Sequence, residues 1–512
     1  MAAKTKVITI EKLFKGWIQT FFPGNLTAEG NIDQYSYSAN GVSMFRQGKF
    51  GHIGTGETFD DYATDSGNLI NGIVKSGCGT SAQANSELFI LVDGVGTARV
   101  VWLDTTGWST TNKIDISAHG GHSSPTALNG DIISFWDNSG SPNVEYVFYS
   151  WEDNTDGDIG VVKSDGTGQS DSWFGDLGGA GTNRLTFKVP HIMAIGPDKN
   201  LYCTNGQYIA QAIINGALAS ATGNNKALNI GAGFIATDVF AYGNYIGIIA
   251  YKSVNFTVAK GQAKFMLWDG FSSDPNFIYD LGDSYASIGY EKDGQVYAMT
   301  YGLSSTVKLK QFTGSAFKTI FESSNIGTPS PDKRQFDIFQ DMPHWYYVKT
   351  NGMLGCWSDG FHQRSSSVGT AGGMLKSLFP GYLLSGGTSG KLARINVSKF
   401  EASNSIFVSR IITLPYRATI KSIIVYFSQF GAGASIQLDI FKDYASVSIG
   451  AGLLNQTITN TTYGAIADIK IDKEIPDISS FCLAVLFNHQ SASTTASLIR
   501  KIEIIYEETL SE

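Results

Sequence analysis

The chain has 512 residues, more than a single hydrophobic core normally holds, so it must contain several domains or one large repeat fold. Only 16% of it is charged, whereas 58 residues are glycine and 12% are aromatic, a composition of turn-rich strands that argues against long salt-bridged helices. The net charge is −8 and the basic residues are scattered, which argues against direct binding of nucleic acid.

The N-terminal segment, residues 1–40, contains lysines but lacks the apolar run and the cleavage site of a signal peptide. No apolar stretch of membrane-spanning length occurs in the sequence, so we expect cytoplasmic synthesis without membrane insertion. The segment carries Trp17, Phe21 and Phe22 but lacks the pattern of the strands that follow. We interpret it as an arm that packs on the next domain or on a neighbouring subunit, with these three aromatic residues as candidates for an assembly interface.

A weak internal repeat follows the arm. In each unit an apolar strand ends in an aromatic residue, a short turn follows, and a second aromatic opens the next strand; the units lie at 101–108, 267–271, 311–317 and 356–361. Trp268 precedes Phe312 by 44 residues and Phe312 precedes Trp357 by 45, the length of a four-stranded propeller blade. Looser units near Val147, Ile213 and Lys391 raise the expected total to about seven blades, between residues 41 and 399.

Two structural expectations follow from this repeat. The aromatic residues Trp102, Trp268 and Trp357 could stack on sugars, but their positions in blade strands favour packing between neighbouring sheets. A propeller ring normally closes when a strand from one end of the domain completes the last blade, because an unpaired edge invites aggregation. Residues 42–47 are the candidate closing strand.

After residue 400 the glycine content falls and the strands become longer. Seven strands are expected, at 406–414, 420–427, 435–441, 453–458, 466–471, 481–487 and 497–506. This number and spacing predicts a β-sandwich of the jelly-roll or immunoglobulin-like type over residues 400–512. The fold class is therefore all-β, a propeller followed by a sandwich.

Catalytic motifs are absent from the sequence. The glycine-rich stretch 386–391 lacks the glycine and the hydroxyl residue that a phosphate-binding loop requires, and it is better interpreted as a blade turn. His119 and His122 have no third metal ligand nearby in the sequence, so a turn with two histidines is the simpler interpretation. We expect no enzyme and no cofactor.

The cysteines Cys78, Cys203, Cys356 and Cys482 lie more than 100 residues apart, so neither a zinc pattern nor a dense disulfide framework is indicated. We expect buried free thiols in a protein that folds in a reducing compartment.

The acidic turn at residues 152–158 offers a weak calcium candidate. Asp153, Asp156 and Asp158 present oxygen ligands around a glycine, as a calcium loop does, but Lys163 stands where the distal bidentate glutamate would fall. A solvated acidic hairpin is the alternative.

Glycoside hydrolysis needs two carboxylates on opposite sides of a sugar, and some propellers perform it. Asp60, Asp61, Asp171 and Asp176 are available for this role. Aspartates also decorate propeller turns generally, so these four residues do not define a site.

The opening region FKGWIQTFFPGNLTAEGNIDQYSYSANGVSMFRQGKFGHIG has glycines with aromatics, then Ser and Tyr residues, then an Arg-containing strand. It resembles the opening of virion structural proteins of tailed bacteriophages, in which a propeller is assembled into the tail or its nozzle. The resemblance implies a structural subunit, made in the host cytoplasm and located in the virion tail. Such a subunit joins copies of itself and other tail proteins in a symmetric ring around the DNA exit channel. The resemblance assigns no functional residues to this chain.

Two other functions stay open. The C-terminal sandwich could recognise a glycan on the host surface, which an exposed aromatic cluster on residues 400–512 would favour, whereas a large apolar patch on the propeller or arm would favour assembly. A propeller glycoside hydrolase comes last, because the sequence shows no close pair of carboxylates.

Overall fold

The computed structural model describes strands and connecting turns, and none of the residues that it describes belongs to a helix. This described part of the chain therefore contains no helix long and apolar enough to cross a membrane. The described residues are 5–10, 17–18, 36–39, 42–43, 53–55, 57–64, 72–80, 86–94, 97–104, 107–117, 124–138, 143–175, 184–216, 220–252, 262–292, 294–302, 307–323, 336–338, 345–348, 354–357, 361–365, 375–379, 382–386, 391–400, 405–409, 412–429, 435–442, 452–459, 468–488 and 498–509. The chain is therefore all-β in this part, as its composition predicts.

Six strands precede the first complete sheet. They are β1 (Thr5–Ile10), β2 (Trp17–Ile18), β3 (Ser36–Ala39), β4 (Val42–Ser43), β5 (Ile53–Thr55) and β6 (Glu57–Thr64).

Seven small antiparallel sheets then follow one another along the chain, and we call them blades 1 to 7. Blade 1 contains β7 (Gly72–Gly79), β8 (Ser86–Gly94), β9 (Thr97–Asp104) and β10 (Gly107–Asp115). Blade 2 contains β11 (Ile132–Asp137), β12 (Val144–Glu152), β13 (Asp156–Lys163), β14 (Ser170–Phe174) and the short β15 (Leu185–Thr186). Blade 3 contains β16 (Met193–Ile195), β17 (Leu201–Asn205), β18 (Tyr208–Ile213) and β19 (Thr222–Asn229).

The remaining blades repeat this order. Blade 4 contains β20 (Phe234–Tyr242), β21 (Tyr245–Lys252), β22 (Ala263–Trp268) and β23 (Phe277–Asp280). Blade 5 contains β24 (Tyr285–Lys292), β25 (Gln295–Tyr301), β26 (Val307–Phe312) and β27 (Phe317–Ser323). Blade 6 contains β28 (Phe336–Ile338), β29 (Trp345–Val348), β30 (Leu354–Trp357) and β31 (Phe361–Ser365), and blade 7 contains β32 (Leu375–Phe379), β33 (Tyr382–Gly386) and β34 (Lys391–Phe400) together with β6.

The first strands of consecutive blades contact each other from blade 1 to blade 5, and again from blade 6 through blade 7 back to blade 1, which places them innermost. β7 contacts β11, β11 contacts β16, β16 contacts β20, β20 contacts β24, β28 contacts β32, and β32 returns to β7. Consecutive four-stranded sheets arranged in this way are the architecture of a β-propeller. The fold predicted from the spacing of 44 and 45 residues is thus present.

The ring closes through a strand from the other end of the propeller, but not through the segment that we predicted. β6 pairs antiparallel with β34 and becomes the outer strand of blade 7, whereas Val42–Ser43 pairs with β5 in a different sheet. The expectation that residues 42–47 close the ring is therefore wrong. β6 contains Glu57, Asp60 and Asp61, and charged residues are common in the edge strand of a sheet.

The C-terminal strands form one sheet together with the N-terminal ones. They are β35 (Ser405–Val408), β36 (Ile412–Gln429), β37 (Ser435–Lys442), β38 (Gln456–Thr459), β39 (Asp468–Asn488) and β40 (Leu498–Glu508). With β1 to β5 they make an eleven-stranded sheet, which we call the terminal sheet. In sequence, the propeller consequently lies between the N-terminal and the C-terminal strands of the terminal sheet.

The long strand β39 divides the terminal sheet into two halves that share one core. Its first part pairs with β36, which leads to β40 and β1, and its last part pairs with β37 and β35. Apolar side chains from both halves, such as Ile423 and Val485, belong to the same buried cluster. Residues predicted to form a separate arm thus contribute strands to this sheet, while the predicted domain limits at 40 and 400 stay a prediction.

Two of the three tryptophans of the repeat are buried and pack against other aromatic residues of the propeller, as the sequence predicts. Trp268 is 1% exposed and lies edge-on to Tyr202, and Trp102 is 8% exposed and stacks on Phe89. The side chain of Trp357 lies outside the described residues; its strand, β30, is the third of blade 6.

Candidate functional site

Three exposed apolar side chains lie close together in sequence at the outer edge of blade 4. Phe271 is 82% exposed, Phe277 46% and Ile278 57%. We call these three residues the blade-4 patch. Phe277 and Ile278 are consecutive in β23 and point to opposite faces of the strand, so the three groups lie along one edge of the blade and not on a single face. Exposed apolar groups at one edge favour a protein–protein contact.

The turn before β23 holds Phe271 outward. Its anchor is Asp269, whose carboxylate accepts the N–H groups of Phe271 and Ser272, both at 2.8 Å, and the side-chain amide of Asn276 at 3.0 Å. Gly270 adopts a φ of +85°, which favours glycine because it has no Cβ. The ring of Phe271 is therefore presented by a turn with many internal hydrogen bonds.

Charge surrounds the blade-4 patch on the same hairpin. Hydrogen bonds, first of all that from the Ser272 hydroxyl, hold the pKa of Asp269 well below its ordinary value, so its carboxylate is ionised at neutral pH. Asp274 lies in the same turn, and Asp280 at the end of β23 accepts a hydrogen bond from Lys264 at 2.9 Å. An apolar patch rimmed by carboxylates fits a partner surface with an apolar centre and basic surroundings.

Phe271 departs from the repeat that the sequence analysis identified. In the other three units the second aromatic residue lies in the next strand, because β27 begins at Phe317, β31 begins at Phe361, and Trp108 lies in β10. Blade 4 differs, since β23 begins only at Phe277 and Phe271 lies in the turn. The eight-residue interval between Trp268 and Phe277 was the available signal, and sequence reasoning missed it.

The three aromatic residues proposed for assembly from the sequence lie elsewhere. Trp17 belongs to β2, which pairs in parallel with β3 at the margin of the terminal sheet and contacts β31 of blade 6. Phe21 and Phe22 lie outside the described residues. Their role at an interface between subunits stays a prediction.

The acidic turn between β12 and β13 gives each of the calcium candidates a protein partner. Asp153 accepts the N–H of Thr155 at 2.7 Å, Asp156 accepts Nη1 of Arg184 at 2.7 Å, and Asp158 accepts the Ser172 hydroxyl at 2.8 Å. Within the described ranges no group of three or more metal-ligating side chains is gathered as a metal site requires. Calcium at this turn stays a prediction.

The carboxylates considered for sugar hydrolysis lie on different blades. Asp60 and Asp61 belong to β6 of blade 7, whereas Asp171 lies in β14 of blade 2 and accepts the Tyr149 hydroxyl at 2.6 Å. Asp176, like His119 and His122, lies outside the described residues. Asp171 also accepts the backbone N–H of Ser117, which follows blade 1, at 3.1 Å, so its described contacts are within blade 2 and to the segment before it.

A buried histidine lies beside the acidic turn. His191 is fully buried, its Nε2–H donates to the carbonyl oxygen of Thr186 at 2.9 Å, and its Nδ1 has no hydrogen-bond partner among the described residues. Burial lowers the pKa of the imidazole from an ordinary 6.5 to about 4. The folded protein therefore holds His191 neutral.

This arrangement makes stability depend on pH. Between pH 6.5 and 4 the unfolded chain binds a proton at His191 that the folded chain does not, so stability is full above pH 6.5 and falls toward pH 4, by about 3 kcal/mol in total. His191→Gln keeps an amide donor for Thr186 and cannot titrate. Urea unfolding at pH 7 and pH 4.5 is expected to show a steeper loss for the wild type than for His191→Gln. Parallel pH curves would contradict this role.

Comparisons with known proteins give only distant similarities. No protein-family model matches the chain, and no curated protein matches it. The chain is similar to a catalytically inactive virginiamycin B lyase from Staphylococcus aureus solved with quinupristin, at 8% identity and a TM-score of 0.42, over 66% of this chain and 99% of that one. It is also similar to the Dos1 propeller, at 11% identity and a TM-score of 0.42, over 67% and 94% of the two chains. The assignment of the propeller rests on the seven sheets themselves.

Proposed function

We propose that the protein is a structural subunit of a tailed-phage virion. It is a tail or nozzle component, assembled in the host cytoplasm, that forms a symmetric ring around the DNA exit channel. The observation that carries the assembly role is the blade-4 patch, because an apolar surface on the propeller favours contact with another protein. The phage origin is supported by the resemblance of residues 14–54.

The position of the patch suits a ring. It lies on the outermost strand of one blade and on the turn before that strand. In this proposal a neighbour covers it with a different surface of its own, and repeated heterologous contacts of this kind close into a ring when the rotation allows. The partners are copies of this chain and other tail proteins. In this proposal the two halves of the terminal sheet form a β-sandwich of the jelly-roll or immunoglobulin-like type.

The mass of the purified protein in solution tests the assembly role. Light scattering is expected to show a defined oligomer for the wild type, and Phe271→Ser with Phe277→Ser is expected to weaken it. Truncating one interface anchor costs about 2 kcal/mol, roughly a 30-fold loss in association constant at each contact.

Leu128→Ser is the matched control, since Leu128 is an exposed apolar residue in a turn of blade 2. It is expected to leave the oligomer unchanged. A wild type that stays monomeric at every concentration, or an oligomer that the double variant leaves intact, would contradict the proposal.

Recognition of a host-surface glycan is the second proposal. It is favoured by Tyr416 in the terminal sheet, which is 59% exposed and carries an aromatic ring that could stack on a sugar. Screening of wild type and Tyr416→Ala on a glycan array tests it. Glycan binding that Tyr416→Ala abolishes would support recognition, and the absence of any bound glycan would count against it.

A further inference from the structure

Six asparagines of the chain are followed directly by glycine, and for three of these pairs the structure describes both residues. The three asparagines are Asn129, Asn205 and Asn215. In such a pair the backbone nitrogen of the glycine can attack the side-chain carbonyl carbon of the asparagine, because glycine has no Cβ that obstructs the approach. This reaction within the chain requires that the two atoms reach the geometry of attack. The fold therefore decides which pair reacts.

The first pair is held in place between blades 1 and 2. Asn129 is 8% exposed, and its side-chain amide donates to the carboxylate of Glu152 at 2.8 Å. The N–H of Gly130, which belongs to the nitrogen that would attack, donates to the carbonyl oxygen of Ala127 at 2.9 Å. Both groups would have to leave their partners before they could react, so the folded protein protects Asn129.

The second pair is held at the end of β17 in blade 3. Asn205 is 1% exposed, its Nδ2 donates to the carbonyl oxygen of Asn225 at 2.7 Å, and its Oδ1 accepts the N–H of Thr186 at 2.6 Å. Rotation of this side chain toward the next residue would break both hydrogen bonds inside the protein, which is costly for buried groups. The fold protects Asn205 as well.

The third pair lies on the surface, after the end of β18 in blade 3. Asn215 and Gly216 are both exposed to solvent. Among the described residues, a Cβ at Gly216 would meet only the hydroxyl of Tyr146, at 3.9 Å, so the glycine has open space around it. Its φ of +76° lies in the region that favours glycine. The pair is accessible to water and has room to rearrange.

We propose that Asn215 is a site of spontaneous deamidation, whereas the fold protects Asn129 and Asn205. The backbone nitrogen of Gly216 attacks Cγ of Asn215 and forms a new C–N bond, and the side-chain nitrogen leaves as ammonia with the proton of the Gly216 amide. The resulting succinimide ring takes up a water molecule and opens at either of its two carbonyl groups. The products are aspartate and isoaspartate, and in isoaspartate the main chain passes through the former side chain.

The reaction would change the boundary between blades 2 and 3. The connection from β18 to β19 lies against blade 2, because Gly216 is near Tyr146 of β12 and the N–H of Ala221 donates to the carbonyl oxygen of Trp173 in β14 at 2.6 Å. Deamidation adds a negative charge to this connection, and isoaspartate also lengthens its backbone. The inference goes beyond the proposed function and does not rest on it.

Peptide mass spectrometry of the purified full-length protein, incubated in mildly alkaline buffer, tests the inference. Trypsin leaves Asn205 and Asn215 in one peptide, residues 200–226, so fragment ions compare the two sites within the same molecule. A local opening that costs about 1.4 kcal/mol slows a reaction roughly tenfold. We therefore expect Asn215 to deamidate at least roughly tenfold faster than Asn205 and Asn129 in the folded protein.

The same incubation in concentrated urea separates the effect of the fold from that of the local sequence. Unfolding exposes all three pairs, so their rates are expected to become similar. Asn215→Gln is the matched variant, because glutamine would have to form a larger ring; it is expected to remove the signal at residue 215 and to leave Asn205 unchanged.

Two results would overturn the inference. One is a rate at Asn215 in the folded protein that is no higher than the rate at Asn205. The other is an order of rates in urea that matches the order in the folded protein, since the local sequence would then determine the reaction without the fold.

Discussion

Replacing Phe265 with alanine is expected to lower the free energy of unfolding by about 4 kcal/mol, because a fully buried phenyl ring would be replaced by a cavity. Phe265 lies in β22 of blade 4 and its ring centre is 5.5 Å from those of Phe312 and Phe317 in blade 5. It also stacks on Phe240 and Tyr279 of its own blade, at 6.0 and 5.9 Å. The loss would therefore affect the interface between two blades as well as one sheet.

Phe271→Ala supplies the matched control for this prediction. It is the same substitution three residues after the end of the same strand, but Phe271 is 82% exposed, so at protein concentrations low enough to keep the chain monomeric its removal is expected to change stability by less than about 0.5 kcal/mol. Urea unfolding followed by tryptophan fluorescence measures both variants. Similar unfolding midpoints for the two would show that the aromatic cluster does not hold blades 4 and 5 together.

The propeller could be predicted because its repeat falls at equivalent structural positions. Trp268, Phe312 and Trp357 each end the third strand of a blade, and Ile213 ends the third strand of blade 3. Each blade contains a buried strand followed by a turn to an outer strand, and successive blades are separated by a nearly constant number of residues. This regular spacing produces a repeat in the sequence. The unit near Val147 was misplaced, because that residue lies in the second strand of blade 2.

The closing strand and the terminal sheet left no comparable signal. β6 is short of apolar residues because it is an outer strand, and a polar outer strand resembles a loop in sequence. β1 pairs with a strand about 500 residues away, and pairing over such a distance has no local pattern. The exposure of Phe271 depends on the turn anchored by Asp269, which the spacing of aromatic residues does not reveal.

Asp131 is a buried carboxylate that connects three blades of the ring. It is 0% exposed and lies directly before β11 of blade 2. One carboxylate oxygen accepts the hydroxyl of Ser76 in β7 of blade 1, and the other accepts the backbone N–H of Met193 in blade 3 at 3.1 Å. A carboxylate buried so deeply requires such donors, and the donors in turn depend on it.

Asp131→Ala is consequently expected to destabilise the protein by about 4 kcal/mol, since each buried donor that loses its acceptor costs roughly 1–3 kcal/mol. Asp131→Asn is the matched control. Its amide oxygen can accept the N–H of Met193 and its amide nitrogen can donate to the hydroxyl of Ser76, so a loss of only about 1 kcal/mol is expected. Urea unfolding of both variants distinguishes the cases.

The comparison of these two variants also separates hydrogen bonding from charge at this junction. If Asp131→Asn is nearly as stable as the wild type, the hydrogen bonds at this position are what connect blades 1, 2 and 3, and the negative charge adds little to the free energy of unfolding. If asparagine costs as much as alanine, the negative charge itself holds the junction together. In that case the ring would depend on a negative charge buried in its interior.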